Sequence, residues 1–269
     1  MMPVDTVLVR HGQSEGNFLN QIARKGGTHP GREELQKRHT SVWRLTNRGR
    51  AQAKMAGEWL RSEMDGGHFD RFYVSEYLRA KETAAYLGLP DARWYAEAYL
   101  REREDGDLEG LSDDQRAREF PESIAHRSRE PFFWTPPNGE SVARACERVD
   151  RVLATLHREC TDKRVILMLH GELMWAFRVR LERLSQSEYA RQRLSPDPHD
   201  WIHNCQILHY TRRDPESGEL KPYCDWMRSV CPTDTARSRN VWQHIVRPVH
   251  TNESLLAEAA QVERLIVEE

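Results

Sequence analysis

Several things this 269-residue sequence lacks narrow its reading at once. Lysine is scarce: Lys+Arg totals 40, a count along the chain finds 6 lysines, and 40 − 6 leaves 34 arginines. Charge of one sign is not in excess, since 42 Asp+Glu set the formal net charge at −2. Near-neutrality excludes a general nucleic-acid or anionic-membrane binder, which carries a basic excess or stripe. Long apolar runs are missing too. Val165–Leu169 is among the longest, far short of the roughly 20 residues that span a bilayer. Neither nucleic acid nor membrane is an expected partner. The cysteines (Cys146, Cys160, Cys205, Cys224, Cys231) are odd in number and show no C-x-x-C spacing. They read as reduced, mostly structural thiols of a cytoplasmic protein. The first residues enter a strand-like run without a basic n-region or a cleavage site, which fits the same location. A P-loop is excluded because no G-x-x-x-x-G-K-[ST] occurs.

The composition that remains is that of a globular chain, 38% hydrophobic and 30% charged. Arginine is well shaped to grip phosphate or carboxylate, but its count alone only reflects a preference over lysine on solvated faces. Strand-like runs at Val4–Arg10, Phe69–Ser75, Arg93–Leu100, Arg164–Leu169 and Asn204–Thr211 alternate with helical patterns. Those helices begin after Thr46 and at Tyr77, Val142 and Glu172, with a last one at Asn252–Ile266. Alternation of this kind predicts an α/β layer fold with a mostly parallel central sheet. One domain over residues 1–269 is expected, with a surface excursion at about 18–43 and an irregular polar insertion at about 112–138. A C-terminal extension starts at about residue 215.

The informative feature is an echo. Two buried-type strands, Val7-Leu8-Val9-Arg10-His11-Gly12 and Val165–Leu169 followed by His170-Gly171, both end in His-Gly. Ligands of open α/β sheets sit beyond the carboxyl ends of the strands, so His11 and His170 can meet there. The glycine after each permits a sharp exit and exposes backbone N–H groups to an anion. Arg10 beside His11 offers a fork for phosphate oxygens. Arg79 falls in the first turn of the helix after strand 69–75, where the helix N-terminus also favours anions. Glu102 follows strand 93–100 closely enough to bring a carboxyl group to the same rim. A neutral imidazole can attack phosphorus, and such a transfer needs charge stabilisation and an acid for the leaving oxygen.

The residues themselves resemble a known family. Leu8-Val9-Arg10-His11-Gly12-Gln13-Ser14-Glu15-Gly16-Asn17 is similar to the R-H-G signature of the histidine phosphatase (phosphoglycerate mutase-like) superfamily. The similarity continues at Leu45–Ala53, at the S-x-x-x-R-A-x-x-T-A box Ser75–Ala84, at Leu100–Gly110, at Gly139-Glu140-Ser141 and at His170-Gly171. The boxes stand in family order over about residues 4–212. The resemblance implies a three-layer α/β/α fold and needs no metal or organic cofactor. It implies that His11 is the nucleophile forming a phosphohistidine and that Arg10, Arg79 and His170 cradle the phosphoryl group. Asn17 and Gly171 would then contact substrate, and Glu102 would give the proton to the leaving group. The expected partner is a phosphorylated small molecule or phosphoprotein.

Departures from the family bear on the branch. Mutase members carry an aromatic residue before the asparagine of the first box, where this chain has Gly16. Their tandem Arg-Arg is split here as Arg127-Ser128-Arg129, and their Arg-His in the acid loop becomes Arg103-Glu104, placing an extra carboxylate near the pocket. These differences favour a phosphatase. A cofactor-dependent phosphoglycerate mutase and a non-catalytic phosphate-binding protein are the alternatives, the second opposed by retention of Glu102. A facial-triad metal site built on the two histidines and Glu102 is opposed by the flanking Arg10 and Arg79. His170-Gly171-Glu172 matches half of a zinc deaminase signature, but no P-C-x-x-C follows. The cluster Phe132-Phe133-Trp134 is expected to pin a loop to the core, and Arg38, His29 and His39 to lie on a solvated loop. Cys224 and Cys231 are expected to be core thiols.

Overall fold

The computed structural model describes residues 1–266. Its strands are β1 (Asp5–Arg10), β2 (Arg71–Val74), β3 (Trp94–Ala96), β4 (Arg164–Leu169), β5 (Ile207–Thr211), β6 (Trp226–Val230) and β7 (Gln243–His244). They form one sheet in the order β3-β2-β4-β1-β5-β6-β7. The central pair β1 and β4 is parallel and in register from Asp5↔Arg164 to Arg10↔Leu169, which brings both His-Gly ends to the same rim.

Alternation along the strands sorts side chains into two layers. Leu8, Val165, Leu167 and Leu169 pack with α7 (Val142–Glu159) and α8 (Gly171–Glu182) on one face. Val7, Val9, Ile166 and Met168 pack with α3 (Asn47–Glu63) and α4 (Leu78–Tyr86) on the other. The result is the expected three-layer α/β/α arrangement. Local chemistry starts the helices where the sequence suggests. Thr46 caps α3 by accepting from the Gly49 amide, and Ser141 caps α7 by accepting from the Arg144 amide.

Other expectations need correction. The sheet is mixed, because β5 runs antiparallel to β1, β6 to β5 and β7 to β6. Residues 212–225 and 231–242, which join β5 to β6 and β6 to β7, hold no α-helix, and antiparallel neighbours need none. Residues 18–43 are not one loop: α1 (Glu15–Arg24) opens on a Ser14–Asn17 capping box, and α2 (Gly31–Gln36) follows. His29, Arg38 and His39 are exposed there, as expected. The 112–138 stretch holds α5 (Asp113–Glu119), again with a capping box at Ser112, and α6 (Pro121–Arg129). Helix α9 (Gln186–Arg193) also escaped the periodicity reading.

The third strand is only Trp94–Ala96, because Ala98–Leu100 tightens into a 3-10 turn. The C-terminal extension supplies two strands of the sheet, β6 and β7. The last helix, α10 (Asn252–Ala259), stops seven residues short of Ile266 and is exposed throughout. Trp134 is 2% exposed and Phe132 packs on the core, so that cluster does pin its loop. All five cysteines are free and buried. Among the described residues no helix is long and apolar enough to cross a membrane.

Close packing of α3 on the end of α4 depends on Gly57, where an added Cβ would collide with the Leu87 carbonyl. Gly57→Ala is expected to destabilise the chain by about 1–3 kcal/mol through overpacking. Urea unfolding should show a lower midpoint with unchanged slope.

Candidate active site

Every residue expected at the site arrives at the rim formed by the carboxyl ends of β1, β2 and β4. His11 is 2% and His170 0% exposed, and their rings meet edge to face with centroids 5.1 Å apart. The His11 Nδ1 lies 2.7 Å from the Gly12 carbonyl oxygen. A carbonyl only accepts, so Nδ1 carries the proton and Nε2 keeps its lone pair. That Nε2 accepts from Arg79 Nε at 3.2 Å. Arg79, 5% exposed, also donates to the Thr40 carbonyl at 2.6 Å and lies over the Tyr77 ring at 4.8 Å.

Burial first, and then the Arg79 and Arg10 charges, push the His11 pKa well below its ordinary value. His170 is depressed in the same direction by burial, Arg79, His11 and Arg10. Both imidazoles are therefore held neutral. His170 Nε2 lies 2.8 Å from Ser75 Oγ, and that oxygen already accepts from the Tyr77 amide. The His170 Nδ1 is buried and has no partner among the described residues. With the Ser75 hydroxyl donating to Nε2 the ring proton sits on Nδ1, and in that tautomer a bound oxyanion would satisfy it.

Arg10 donates through Nη1 to the Ile202 carbonyl at 2.6 Å, and its buried Nε likewise lacks a partner. A Cβ at Gly171 would stand 3.1 Å from Arg10 Nε and press on the guanidinium. Gly12 is pinned on the other side by an amide bond to Thr83 Oγ1 at 3.0 Å, and a Cβ there would strike the Gly49 carbonyl.

Glu102 is half-buried, and its Oε1 accepts from the Arg103 amide at 3.0 Å and the Leu173 amide at 3.2 Å. One ligand-type atom each of His11, Glu102 and His170 lie within 4.8 Å of one another. Burial and the neighbouring Glu172 raise the Glu102 pKa, and together they outweigh the lowering by Arg79, the Arg103 amide and Arg10. Glu172 itself keeps its charge. Burial opposes ionisation there, but Arg193 at 2.6 Å and Arg103 at 3.8 Å hold its pKa down to about 2. One carboxyl is thereby tuned to hold a proton next to another that cannot.

The Gly139-Glu140-Ser141 box supports this loop from behind. Buried Glu140 forms a two-bond pair with Arg148 at 2.6 and 2.7 Å. Arg148 then donates to the Tyr99 and Arg101 carbonyls that bracket the approach to Glu102. Asn17 joins the site through Asn204, whose Nδ2 donates to Asn17 Oδ1 at 3.0 Å and to the His11 carbonyl at 3.2 Å.

Sequence reasoning missed Asn204. Because β5 is antiparallel, its start rather than its end lies at this rim, a reversal that local pattern does not show. Ser75 and Thr83 stand inside the quoted Ser75–Ala84 box, which was their available signal. Glu104 pairs with Arg101 at 3.2 Å, and its charge also reaches Tyr77, which packs against His170 and Arg79. Arg127 lies over the Trp134 ring at 5.3 Å and Arg129 is exposed, so neither lines the cleft.

These features define an anion site at the carboxyl rim of an α/β sheet, with a neutral imidazole at its floor and a protonatable carboxyl at its side. The chain belongs to the histidine phosphatase superfamily (branch 1), whose profile matches residues 6–214. It is similar to the 2,3-bisphosphoglycerate-dependent phosphoglycerate mutase of Methylobacterium radiotolerans, 33% identical over 191 residues, covering 68% of this chain and 81% of that protein. The corresponding mutase of Azorhizobium caulinodans is 33% identical over 201 residues, 70% of this chain and 86% of that one. Among solved structures, a mycobacterial glucosyl-3-phosphoglycerate phosphatase shares the fold with TM-score 0.57 at 24% identity. It covers 77% of this chain and 90% of its own. A putative alpha-ribazole-5'-P phosphatase from Escherichia coli shares it with TM-score 0.59 at 19% identity, over 82% and 96%.

Inorganic phosphate is expected to raise Tm by mass action on the folded state. Gly171→Ala, which presses on Arg10, should shrink that shift in a thermal-shift titration. A full-sized shift in the variant would remove Arg10 from the anion site.

Proposed function

We propose that the chain is a phosphatase that hydrolyses phosphomonoesters through a phosphohistidine on His11. The observation that carries this reading is the locked His11 tautomer, with Nε2 unprotonated against Arg79 and within reach of the Glu102 carboxyl. In the first step the Nε2 lone pair attacks phosphorus and the ester P–O bond breaks. Glu102 gives its proton to the departing oxygen. In the second step a water oxygen attacks phosphorus and loses its proton to the Glu102 carboxylate. The P–N bond then breaks, the electron pair returns to Nε2, and inorganic phosphate leaves. Arg10, Arg79 and the His170 Nδ1–H would hold the phosphoryl oxygens through both steps, with Asn17 and the backbone at Gly171 contributing. No metal enters the scheme, and two adjacent guanidinium groups oppose a divalent cation at these residues.

Two further observations favour hydrolysis over phosphoglycerate mutase activity. The cleft above the site has a volume of about 910 Å³, several times what a three-carbon phosphate fills. The place of the mutases' aromatic residue is taken by Gly16, because the Trp43 ring packs directly on it. Mutase turnover is the second reading, supported by the 33% identical relatives, and an assay with 3-phosphoglycerate and 2,3-bisphosphoglycerate separates the two.

His11→Ala should lower phosphate release by about 10,000-fold or more. Quenching the wild-type chain with substrate should trap an acid-labile, base-stable label on His11, and intact turnover in the variant would sink the mechanism.

Glu102→Gln should cost about 100-fold or more on alkyl phosphates and much less on aryl phosphates, whose leaving oxygens need little protonation. Equal losses would take Glu102 out of the acid role.

The pH profile follows from the two shifts. His11 stays neutral to lower pH than an ordinary histidine, and Glu102 stays protonated to higher pH than an ordinary glutamate. Activity should therefore peak on the acid side and fall as pH rises through the Glu102 value. Glu172→Gln removes a negative neighbour, lowers the Glu102 pKa and should move that alkaline limb to lower pH in kcat/KM profiles.

A further inference from the structure

The cleft beyond the phosphoryl pocket is lined on its inner side by an uncommon concentration of carboxamides. Gln13, Asn17, Asn20, Gln52 and Asn204 are buried or half-buried there, and Gln21 extends the row outward. Their orientation is set by bonds that admit one assignment. Gln52 Oε1 accepts from the Gln13 backbone amide at 2.9 Å, and Asn17 Oδ1 accepts from the Ser14 backbone amide at 3.3 Å. Backbone N–H groups only donate, so the oxygens of both side chains face inward and their NH2 groups are left over. Thr46 Oγ1 donates to Gln13 Oε1 at 2.9 Å, and Gln13 Nε2 donates to Gln21 Oε1 at 3.1 Å.

The wall thus offers preset amide donors from Asn17 and Gln52 and a free acceptor at Asn204 Oδ1, whose amide donates to the His11 carbonyl. Asn20 has no hydrogen-bond partner among the described residues. Facing this polar row, Trp201 lines the mouth at 48% exposure, its indole N–H tied to the Ser195 carbonyl at 2.8 Å. That bond holds the ring in place and leaves its apolar surface uncovered.

Which leaving group fits? A second phosphate or carboxylate needs unpaired cations close to the floor, and the cleft supplies few. Arg193 is paired with Glu172 at 2.6 Å, Arg24 with Asp113 at 3.0 Å and Arg237 with Asp234 at 2.9 Å. Lys25 and Arg48, which carry no such pair among the described residues, are exposed on the outer rim. Neutral hydroxyl groups suit the wall better. Each one accepts from an amide N–H and donates to an amide or carboxylate oxygen, and the carbon-bound face of a sugar ring is apolar enough to cover an indole.

We propose that the amide wall and Trp201 select a neutral polyhydroxylated alcohol, so that the substrate is a sugar or cyclitol monophosphate. The inference rests on the phosphatase reading above. The loop after β6 completes this subsite through Thr233 and Asp234. Strand β6 runs parallel to β1, so its carboxyl end reaches the same rim.

The test measures phosphate release by the full chain from hexose 6-phosphates, myo-inositol monophosphate, 3-phosphoglycerate, a nucleoside 5′-monophosphate, a sugar bisphosphate and phenyl phosphate. A hexose or inositol monophosphate should lead the panel in kcat/KM by about tenfold or more. Gln52→Leu and Asn20→Leu should each raise KM for that substrate by about tenfold, more than for phenyl phosphate, as expected for lost hydrogen bonds to substrate hydroxyls. Preference for the bisphosphate, the carboxylate or the nucleotide overturns this inference and leaves the phosphatase reading standing. Equal KM changes on sugar and phenyl phosphates overturn it too. Absence of turnover with every substrate, phenyl phosphate included, brings down both.

Discussion

A buried group of cationic and cationisable side chains governs this molecule. Arg10, His11, Arg79 and His170 converge at one rim of the sheet, and burying so much potential positive charge is costly unless some of it is neutralised. The histidines yield first: each loses its proton because it is buried and because two guanidinium groups, which keep theirs, stand beside it. A neutral imidazole with its lone pair exposed is therefore a product of the packing. The remaining charge is held by carbonyls, Ile202 for Arg10 and Thr40 for Arg79, and Arg10 Nε and His170 Nδ1 are left buried without a partner among the described residues.

Much of the surrounding structure serves that arrangement. The parallel pairing of β1 and β4 fixes the spacing of the two His-Gly ends. The Arg148–Glu140 pair clamps the loop that carries Glu102, and the Arg103–Glu172–Arg193 chain keeps a fixed negative charge next to it. This places a carboxyl of raised pKa and a carboxylate of lowered pKa side by side, separated in behaviour only by which cations each can reach. The loop bearing Trp201 and Ile202 is linked both to Arg10 and, through Arg239 with Asp197 and Asp200, to the C-terminal extension. The outer cleft is thus linked physically to the proposed phosphoryl pocket.

The readable parts of the fold were those with strong local signals. Val4–Arg10 and Arg164–Leu169 announced themselves by continuous β-branched and apolar residues, and α3 and α7 by cap residues ahead of a 3.6-residue period. The helices missed in 18–43 and 112–138 have no buried stripe: α2, α5 and α6 bury no residue fully, so hydrophobic periodicity had nothing to report. The Ser112 capping box marked α5 and Pro121 in the first turn marked α6, while α2 has no side-chain cap. In the opposite direction, Leu255, Ala259, Val262 and Ile266 showed a periodic face, yet the helix ends at Ala259 and that face packs on nothing among the described residues.

By itself, the sequence determined the two His-Gly strand ends, the arginine adjoining the first, the arginine in a first helical turn and the glutamate just after a third strand. Those are facts of order and spacing, and they point to six of the seven residues of the candidate site; Asn17, and the role of each residue, came from the family resemblance. Tertiary structure alone decided the protonation state of both histidines, the opposite tuning of Glu102 and Glu172, and the arrival of Asn204 and the β6 loop at the same rim. The reason is physical. A pKa depends on charges brought close by packing from distant parts of the chain, and a strand's direction depends on its neighbours. Neither is written in any local run of residues.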